Sequence, residues 1–373
     1  MSHPSPRKRC CASAHDRISE APVNIHPPAA GNLRVVQWAT GNIGSRSLRA
    51  VIEHPRLALA GLYVHTSDKV GRAAGELGGS AIATAVRATD DIDEILSLDA
   101  DCVLYMPRVL DAAEVCRILA SGTNIVTTST AFHHPPSMDR DLCARVEAAC
   151  WAGGASIYST GSSPGFISEA IPLALLSLQR RLGLLSIDEY ADLGHRDSPA
   201  MLFDVMGFGR SPADFPRGRS EHLGTSFGPS LRLLAEEMGT PLDSVVADGE
   251  IAVARRTTDI AAGTLAAGTV GAQRVTVSGV RGGETLLRFR ATWYCTRDLE
   301  PDWELRDTGW HIEADGDAPL DIDIRFPVPV ERMTSTFPAY TANRAVNAVA
   351  AVCAAPPGIR TTTELPPFGA TLA

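Results

Sequence analysis

A short apolar segment followed by a glycine-containing turn, at residues 35–45, constrains the fold of this 373-residue chain more than any other feature. The segment predicts a strand, and Ala39, Gly41 and Gly44 then follow the spacing G-x-G-x-x-G, with alanine in the first position. Helical spacing of apolar residues predicts a helix over 42–54, and a second apolar strand follows about twenty residues on. Such a turn presents main-chain N–H groups and a helix N-terminus to phosphate. The pattern predicts a dinucleotide-binding turn, with an ordinary strand-to-helix turn as the alternative.

The composition allows two domains and argues against several functional classes. With 45% hydrophobic residues the chain can bury a sizeable core, and its sequence contains no apolar run near the ~20 residues that span a bilayer. The formal charge of −9 argues against a nucleic-acid binder, which normally has a basic face. The eight cysteines form neither a C-x-x-C pair nor a metal-ligand spacing. We therefore expect reduced cysteines, no metal site and a cytoplasmic location.

The distribution of strand and helix patterns predicts four regions. Residues 1–31 are proline-rich with a basic cluster and no apolar signal segment, and we expect a disordered N-terminal extension. Over 32–160, strands alternate with helices, which predicts a doubly wound, mostly parallel α/β sheet of the Rossmann type. Residues 161–336 carry longer strand patterns and predict an α+β domain with an open, largely antiparallel sheet. Residues 337–373 predict a C-terminal helix and a tail that pack back on the first domain.

Finer expectations concern individual elements. Asp111 and Glu114 have the spacing of a capping box at the start of a helix. The sequence pattern allows a further short strand at residues 81–86 and predicts one long strand over residues 310–326. The stretch 206–228 is rich in glycine, proline, arginine and serine and is expected to be a long loop or lid.

The end of the second predicted strand bears on which dinucleotide would bind. NAD enzymes usually place a carboxylate there to bind the ribose diol. The residues at and just after this strand end are His65, Thr66, Ser67, Lys69 and Arg72. Hydroxyl, imidazole and cationic groups suit a 2′-phosphate, so NADP is favoured. NAD is the alternative, because Asp68 could serve the diol.

The remaining candidate site residues follow from the position of the strand ends. In an open α/β sheet the ligand lies beyond the carboxyl ends of the strands. The expected cofactor-binding residues, beyond those just named, are Ala39, Thr40, Gly41, Asn42, Ile43, Gly44, Met106, Pro107, Thr127, Thr128, Ser163, Pro164 and Gly165. Reduction of a carbonyl also needs a proton donor, and His133, His134 and Tyr158 are the candidates. Each of the three has the alternative of an ordinary loop or strand residue.

Five stretches carry a resemblance to a known family: 39–44, 69–77, 127–128, 161–166 and 343–348. They resemble the dihydrodipicolinate reductase-like superfamily, and within it most closely the branch of 2,4-diaminopentanoate dehydrogenase and related NAD(P)H-dependent amine dehydrogenases. The resemblance implies a Rossmann domain and a substrate domain whose open sheet serves dimerisation. It also implies hydride transfer between NAD(P)H and a C=N or C=O carbon.

Two departures from that family pattern limit what the resemblance implies. His133 and His134 are followed by two prolines, without the lysine and the Asp-Ala-Pro-Ser-Gly-Thr run of the lysine-pathway reductases, so lysine biosynthesis is not expected. The amine dehydrogenase branch has a glutamate shortly after its Thr-Thr-like strand end, whereas residues 129–134 contain no carboxylate. We therefore expect a homodimeric oxidoreductase acting on a small or medium carbonyl, imine or amine substrate. The alternative is a non-catalytic NADP-binding redox sensor or regulator.

Overall fold

The computed structural model describes residues 31–215 and 218–371. The described residues divide into two compact units, 31–161 with 339–371 in the first, and those between 162 and 338 in the second. The predicted N-terminal extension lies outside the described residues, except for its last position. Among the helices of the described part, none combines the length and the apolar character that a membrane crossing requires.

The first unit is built on a seven-stranded parallel sheet. Its strands are β1 (Leu33–Trp38), β2 (Leu57–Tyr63), β3 (Ala88–Thr89), β4 (Cys102–Tyr105), β5 (Asn124–Thr127), β6 (Ser156–Ser159) and the C-terminal strand Gly358–Arg360. Across the sheet the order is β3-β2-β1-β4-β5-β6, followed by the C-terminal strand, and every neighbouring pair is parallel. This is the strand order of a doubly wound dinucleotide-binding sheet. The predicted fold class of the first domain is therefore confirmed.

Helices cover both faces of this sheet. In chain order they are α1 (Asn42–Ile52), α2 (Ala74–Gly78), α3 (Ile92–Leu96), α4 (Ala112–Ala120) and α5 (Arg140–Gly153). Val103 and Ile125 pack on one face with α4 and α5, whereas Leu104 and Val126 pack on the other with the C-terminal helix. Central strands that are apolar on both faces are typical of parallel sheets covered on both sides.

The predicted strand at 81–86 is wrong. These residues, all of them described, form no strand, and the short edge strand β3 begins only at Ala88. The hydroxyl of Thr84 accepts a hydrogen bond from the N–H of Val86 at 3.2 Å. A local side-chain bond of this kind replaces strand pairing, and a strand pattern in the sequence does not reveal it.

The second unit holds a seven-stranded mixed sheet and a separate small hairpin. Its strands are β7 (Leu182–Asp192), β8 (Ser244–Ala254), β9 (Thr258–Ile260), β10 (Gly263–Leu265), β11 (Val270–Arg281), β12 (Glu284–Tyr294), β13 (Leu299–Glu300), β14 (Gly309–Gly316) and β15 (Leu320–Arg325). The order is β13-β8-β11-β12-β7-β14-β15, and β9 pairs with β10. In the large sheet β7 and β12 pair in parallel, and the other neighbouring pairs are antiparallel. The predicted open, largely antiparallel sheet is confirmed.

The α-helices that follow α5 in the described part of the chain are α6 (Ile171–Leu176), α7 (Arg219–Glu237) and α8 (Val330–Cys353). Because α7 begins at Arg219, the expected loop over 206–228 is wrong in its second part. Leu223, Phe227 and Leu231 lie at helical spacing and are buried, and Phe227 stacks on Phe289 with ring centroids 3.8 Å apart. The glycines that suggested a loop have a packing role instead.

Close approach of α7 to the sheet explains those glycines. A Cβ built on Gly224 would lie 3.0 Å from the Cβ of Ala247 on β8, and one on Gly228 would lie 3.3 Å from Val245. Glycine therefore lets the helix lie directly on the strand, at the cost of weaker helix propensity.

The expected single strand over 310–326 is also wrong, because β14 and β15 form a hairpin. The carboxylate of Asp317 in the connecting turn accepts the N–H groups of Arg180 and Arg181 at 3.0 and 2.8 Å. Apolar residues alternate with polar ones on both sides of this turn, so the period of the pattern gave no sign of the reversal.

Candidate functional site

The carboxyl ends of four strands meet at one edge of the first sheet. Trp38 pairs with Tyr63 on β2 and with Tyr105 on β4, and Tyr105 pairs with Thr127 on β5. The predicted cofactor-binding residues that follow or end these strands are Ala39, Thr40, Gly41, Asn42, Ile43, Gly44, His65, Thr66, Ser67, Lys69, Arg72, Met106, Pro107, Thr127 and Thr128. In sheets of this topology, this edge is where ligands bind.

The 39–41 turn (Ala39, Thr40 and Gly41) departs from the glycine pattern, and a buried glutamine supports it. Ala39 has φ 72°, a left-handed conformation that costs a residue with a Cβ about 1 kcal/mol. The side-chain amide of Gln37 donates to the carbonyl oxygens of Trp38 at 3.2 Å and Ala39 at 3.0 Å. Its oxygen accepts the hydroxyl of Ser47 at 2.6 Å, and Gln37 and Ser47 are fully buried. This network holds the turn in its strained form.

Gln37 was not among the predicted site residues, although the sequence contains a signal for it. A polar side chain in the middle of an apolar parallel strand must find hydrogen-bond partners when it is buried. Gln37 is such a residue between Val36 and Trp38. Its partners, however, come from the turn and from α1, which only the structure identifies.

Gly41 in the 39–41 turn and Gly44 in the first turn of α1 have different roles. A Cβ on Gly44 would lie 2.2 Å from the carbonyl oxygen of Ala39, so α1 can approach the turn only with glycine there. Within the described part of the chain, a Cβ on Gly41 would meet no atom within 4 Å, and its φ of −72° suits any residue. Gly41 therefore borders open space, and the fold itself does not require glycine at this position.

The N-terminus of α1 is available to an anion. Among the described residues, no side chain caps it by a hydrogen bond, and its first turn contains no acidic residue. By contrast, α4 and α5 begin with Asp111 and Asp139, whose carboxylates accept main-chain N–H groups. A helix N-terminus carries partial positive charge and orphan N–H groups, which bind phosphate. The residues of this turn thus fit a pyrophosphate.

Two of the predicted cations take different positions. The ammonium of Lys69 lies 3.1 Å from the hydroxyl of Thr40, beside the 39–41 turn. Arg72 forms an ion pair with Glu76 at 2.7 Å and is partly exposed. Lys69 is therefore positioned next to the 39–41 turn, whereas Arg72, which precedes α2, is engaged by Glu76 of that helix.

A cluster of aromatic side chains lies at the carboxyl ends of β1 and β2. Trp38 stacks on Tyr63 with ring centroids 3.7 Å apart, and the ring of His65 meets the edge of Tyr63 at 5.2 Å. The other side of His65 approaches Glu114, with 3.7 Å between Nε2 and Oε1. This cluster joins the end of β2 to the start of α4.

The expected capping box at the start of α4 forms only in part. Asp111 caps the helix by accepting the N–H groups of Ala113 and Glu114, but Glu114 does not return to the N–H of Asp111. Instead the hydroxyl of Tyr105 accepts that N–H at 3.1 Å and donates to Glu114 at 2.7 Å. Burial and the neighbouring Glu114 raise the pKa of Tyr105, so the hydroxyl stays protonated and donates. Tyr105, at the end of β4, thus completes the cap from outside the helix.

The three candidate proton donors differ in their surroundings. His133 and His134 lie in the short turns after β5, each 3% exposed, and Nδ1 of His134 is 2.6 Å from the hydroxyl of Ser137. Tyr158 lies within β6, 1% exposed, with its hydroxyl 3.0 Å from that of Thr362. The position of Tyr158 in an apolar cluster favours a packing role for it.

The 163–165 turn (Ser163, Pro164 and Gly165) belongs to the second unit. It interrupts the helical segment Ser162–Ala170 with non-helical backbone, and Gly165 has φ 117°, which requires glycine. The hydroxyl of Ser163 is buried and has no hydrogen-bond partner within the ranges that the structure covers. An orphaned buried hydroxyl in a predicted binding turn is compatible with a polar ligand.

A different cluster, which the sequence did not reveal, could hold a metal ion. Within the described residues, potential ligand atoms of His311, Glu313 and Asp321 lie within 4.8 Å of one another on β14 and β15. His311 directs Nε2 at Glu313 (3.2 Å) but Nδ1 at Asp323 (2.9 Å), and Arg306 contacts Asp323 at 2.9 Å. Carboxylates at opposite ring nitrogens and a neighbouring guanidinium are typical of an ion-pair network.

Comparison with known proteins identifies relatives of the chain. The 2,4-diaminopentanoate dehydrogenase C-terminal domain model matches residues 199–373. An amine dehydrogenase from Streptomyces virginiae is 29% identical over 351 residues, which cover 90% of this chain and 96% of the relative.

Solved structures share the fold. The amine dehydrogenase from Mycobacterium smegmatis superposes with a TM-score of 0.72 at 21% identity, covering 92% of this chain and 98% of that one. A probable dehydrogenase from Thermotoga maritima gives a TM-score of 0.55 at 12% identity, covering 89% and 92%. By sequence the chain is thus similar to the 2,4-diaminopentanoate dehydrogenase and amine dehydrogenase branch of the NAD(P)-dependent oxidoreductases.

Proposed function

We propose that this protein transfers a hydride between NAD(P)H and the carbon of a C=N or C=O bond in a small or medium-sized substrate. The observation that carries the proposal is the open 39–41 turn at an uncapped helix N-terminus. Glycine at position 41 leaves space that no described atom fills, and Lys69 adds a positive charge beside it. These are the features by which a βα turn binds a pyrophosphate.

The chain's own residues would bind and orient the cofactor. Main-chain N–H groups at the start of α1 and the ammonium of Lys69 would hold the phosphates, while Thr127 and Thr128 border the same edge of the sheet. The 163–165 turn, with its orphaned Ser163 hydroxyl, is proposed as a further polar contact. When bound, the nicotinamide supplies or accepts the hydride.

NADP is the preferred cofactor in this proposal. His65, Thr66 and Ser67 at the end of β2 offer donors where an NAD enzyme usually has a carboxylate. Their side chains are exposed and suit a 2′-phosphate. Arg72 contributes less than its charge suggests, because Glu76 already pairs with it.

The proton that accompanies hydride transfer would come from the segment after β5. A hydrogen bond between Nδ1 of His134 and Ser137 fixes the orientation of that ring, and His133 precedes it in the same segment. Residues 129–134 contain no carboxylate to hold an ammonium ion. A preformed imine, a ketone or an aldehyde is therefore favoured over free ammonia plus a carbonyl, and the proposal includes a homodimer.

Binding and turnover measured separately test this function. Calorimetric titration with NADPH and NADH measures affinity, and NADPH oxidation is then followed with ketones, aldehydes and preformed imines, with and without ammonia. Turnover of any member of this panel supports the proposal. Tight binding with no turnover on any substrate would favour the redox sensor, and absence of binding would contradict both functions.

A further inference from the structure

A buried chain of hydrogen bonds joins the 163–165 turn to a carboxylate in the second unit. The N–H of Gly165 donates to the hydroxyl of Ser168 at 2.9 Å. Ser168 donates to the hydroxyl of Ser230 at 3.1 Å, and Ser230 donates to Glu169 Oε1 at 2.6 Å. Ser168, Glu169 and Ser230 are each 0% exposed. Four groups from two helical segments therefore form one continuous chain that water does not reach.

The direction of this chain follows from its two ends. A main-chain N–H can only donate, so Gly165 makes the oxygen of Ser168 an acceptor. At the other end, the hydroxyl of Ser230 donates to the carboxyl oxygen Oε1 of Glu169, which accepts. The two hydroxyls between them each accept once and donate once. A buried chain with one consistent direction strengthens each of its bonds.

The hydrogen-bond chain lies at the start of a helical segment, where it caps the first turn. The residues after Gly165 are helical, and Ser168 is the third of them, so its bond to the N–H of Gly165 is the reciprocal bond of a capping box. Glutamate usually makes that bond itself. Here Glu169 is one residue further on and acts through Ser230 on α7.

We propose that Glu169 is a positioning residue, which fixes the 163–165 turn through Ser230 and Ser168 in the form that the proposed cofactor contact of this turn requires. This inference rests on the proposed function. Gly165 has φ 117°, and its neighbour Ser163 keeps a buried hydroxyl without a partner among the described residues. The hydrogen-bond chain therefore holds a non-helical turn that presents a polar group without a partner among the described residues.

Two ligands separate this role from general stabilisation. NADP⁺ carries the nicotinamide, whereas 2′-phospho-ADP-ribose has the same adenosine and phosphate groups without it. Ser230→Ala breaks the chain in its middle, and Ser168→Ala breaks it at Gly165. Ser226→Ala is the matched control, because its hydroxyl lies one turn earlier on α7 and donates to the carbonyl of His222 at 3.0 Å, within the helix itself.

We expect Ser230→Ala to weaken NADP⁺ binding about tenfold, as for a lost buried hydrogen bond, and to change 2′-phospho-ADP-ribose binding less than about twofold. Ser168→Ala should act alike, and the double variant should be no worse than either single one, because both interrupt the same chain. Ser226→Ala should change neither affinity. Circular dichroism verifies that each variant folds. If Ser230→Ala does not fold, the two affinities of Ser168→Ala test the proposal.

Other outcomes have distinct meanings. An equal loss of affinity for both ligands would overturn the positioning role of Glu169 and leave the proposed function in place. Losses of NADP⁺ affinity that add up in the double variant would do the same. Unchanged NADP⁺ affinity in both folded single variants would also overturn it. A wild-type protein that binds neither ligand would instead contradict the proposed function, and the positioning role with it.

Discussion

The ammonium of Lys69 lies 3.1 Å from the hydroxyl of Thr40 and 3.4 Å from its carbonyl oxygen, so a residue that follows β2 is fixed beside the turn that follows β1. From the sequence, Lys69 was a candidate for the 2′-phosphate. Its position at the 39–41 turn favours a contact with the pyrophosphate, which NAD and NADP share.

Replacement of Lys69 distinguishes these two contacts. We expect Lys69→Met to lower the affinity for NADPH and the affinity for NADH about tenfold each, because a charge-assisted hydrogen bond to a phosphate that both cofactors share is lost. Arg72→Met is the control and should have a small effect, since Glu76 already engages that guanidinium. Titration of both cofactors measures this, and a loss confined to NADPH would assign Lys69 to the 2′-phosphate.

The strain at Ala39 predicts an unusual stabilising substitution. Ala39→Gly should raise the free energy of unfolding by about 0.5 kcal/mol, because glycine adopts a positive φ without a Cβ penalty but loses more chain entropy. In Ala113→Gly on the exposed side of α4, the same exchange should lower it by about 1 kcal/mol. Urea denaturation measures both, and a matching loss in the two variants would contradict the strain at Ala39.

His54 predicts a pH dependence of stability in the first unit. Its Nδ1 accepts the N–H of Arg56 at 3.1 Å, and burial together with the Arg56 charge lowers the pKa of His54 below 6.5. The unfolded chain therefore binds the proton more readily, so stability is lost as the pH falls below 6.5 towards the folded-state pKa. In His54→Gln the decline between pH 7 and pH 5 should be shallower in denaturation curves. An unchanged slope would exclude His54 as a contributor.

The proton donor is tested by removing both candidate histidines. His133→Ala with His134→Ala should lower turnover roughly 10²-fold, as expected for loss of a general acid. The affinity for NADPH should stay near the wild-type value. Ser137→Ala removes only the hydroxyl that orients His134 and should have a smaller effect on kcat. A wild-type rate in the double variant would assign the proton to another group.

Much of the first unit could be predicted from the sequence, because local signals and long-range packing agree there. The apolar strand before Ala39, the spacing to Gly44 and the helical period after it all indicate one βα unit. In the second unit they disagree. The glycines of α7 suggested a loop, and only the position of Ala247 on β8 shows that they serve close packing.

In the candidate site, too, some features could be predicted from the sequence and others could not. The residues at the strand ends follow from the topology of a parallel sheet, which the sequence pattern predicts. Three features of the site depend on contacts between side chains of different elements: the support of the turn by Gln37 and Ser47, the completion of a helix cap by Tyr105, and the hydrogen bond from Ser230 to Glu169. Single-sequence periodicity contains no information about such pairs.

NADPH binding by Gly41→Val tests whether the 39–41 turn binds the phosphates of the cofactor. A Cβ on Gly41 meets no described atom within 4 Å and its backbone suits any residue, so the variant should fold normally. Gly369→Ala is the matched control, because a Cβ there also meets no described atom within 4 Å. We predict that calorimetric titration finds NADPH binding lost in Gly41→Val and retained in Gly369→Ala. Wild-type affinity in a folded Gly41→Val protein would contradict the phosphate-binding role of the 39–41 turn.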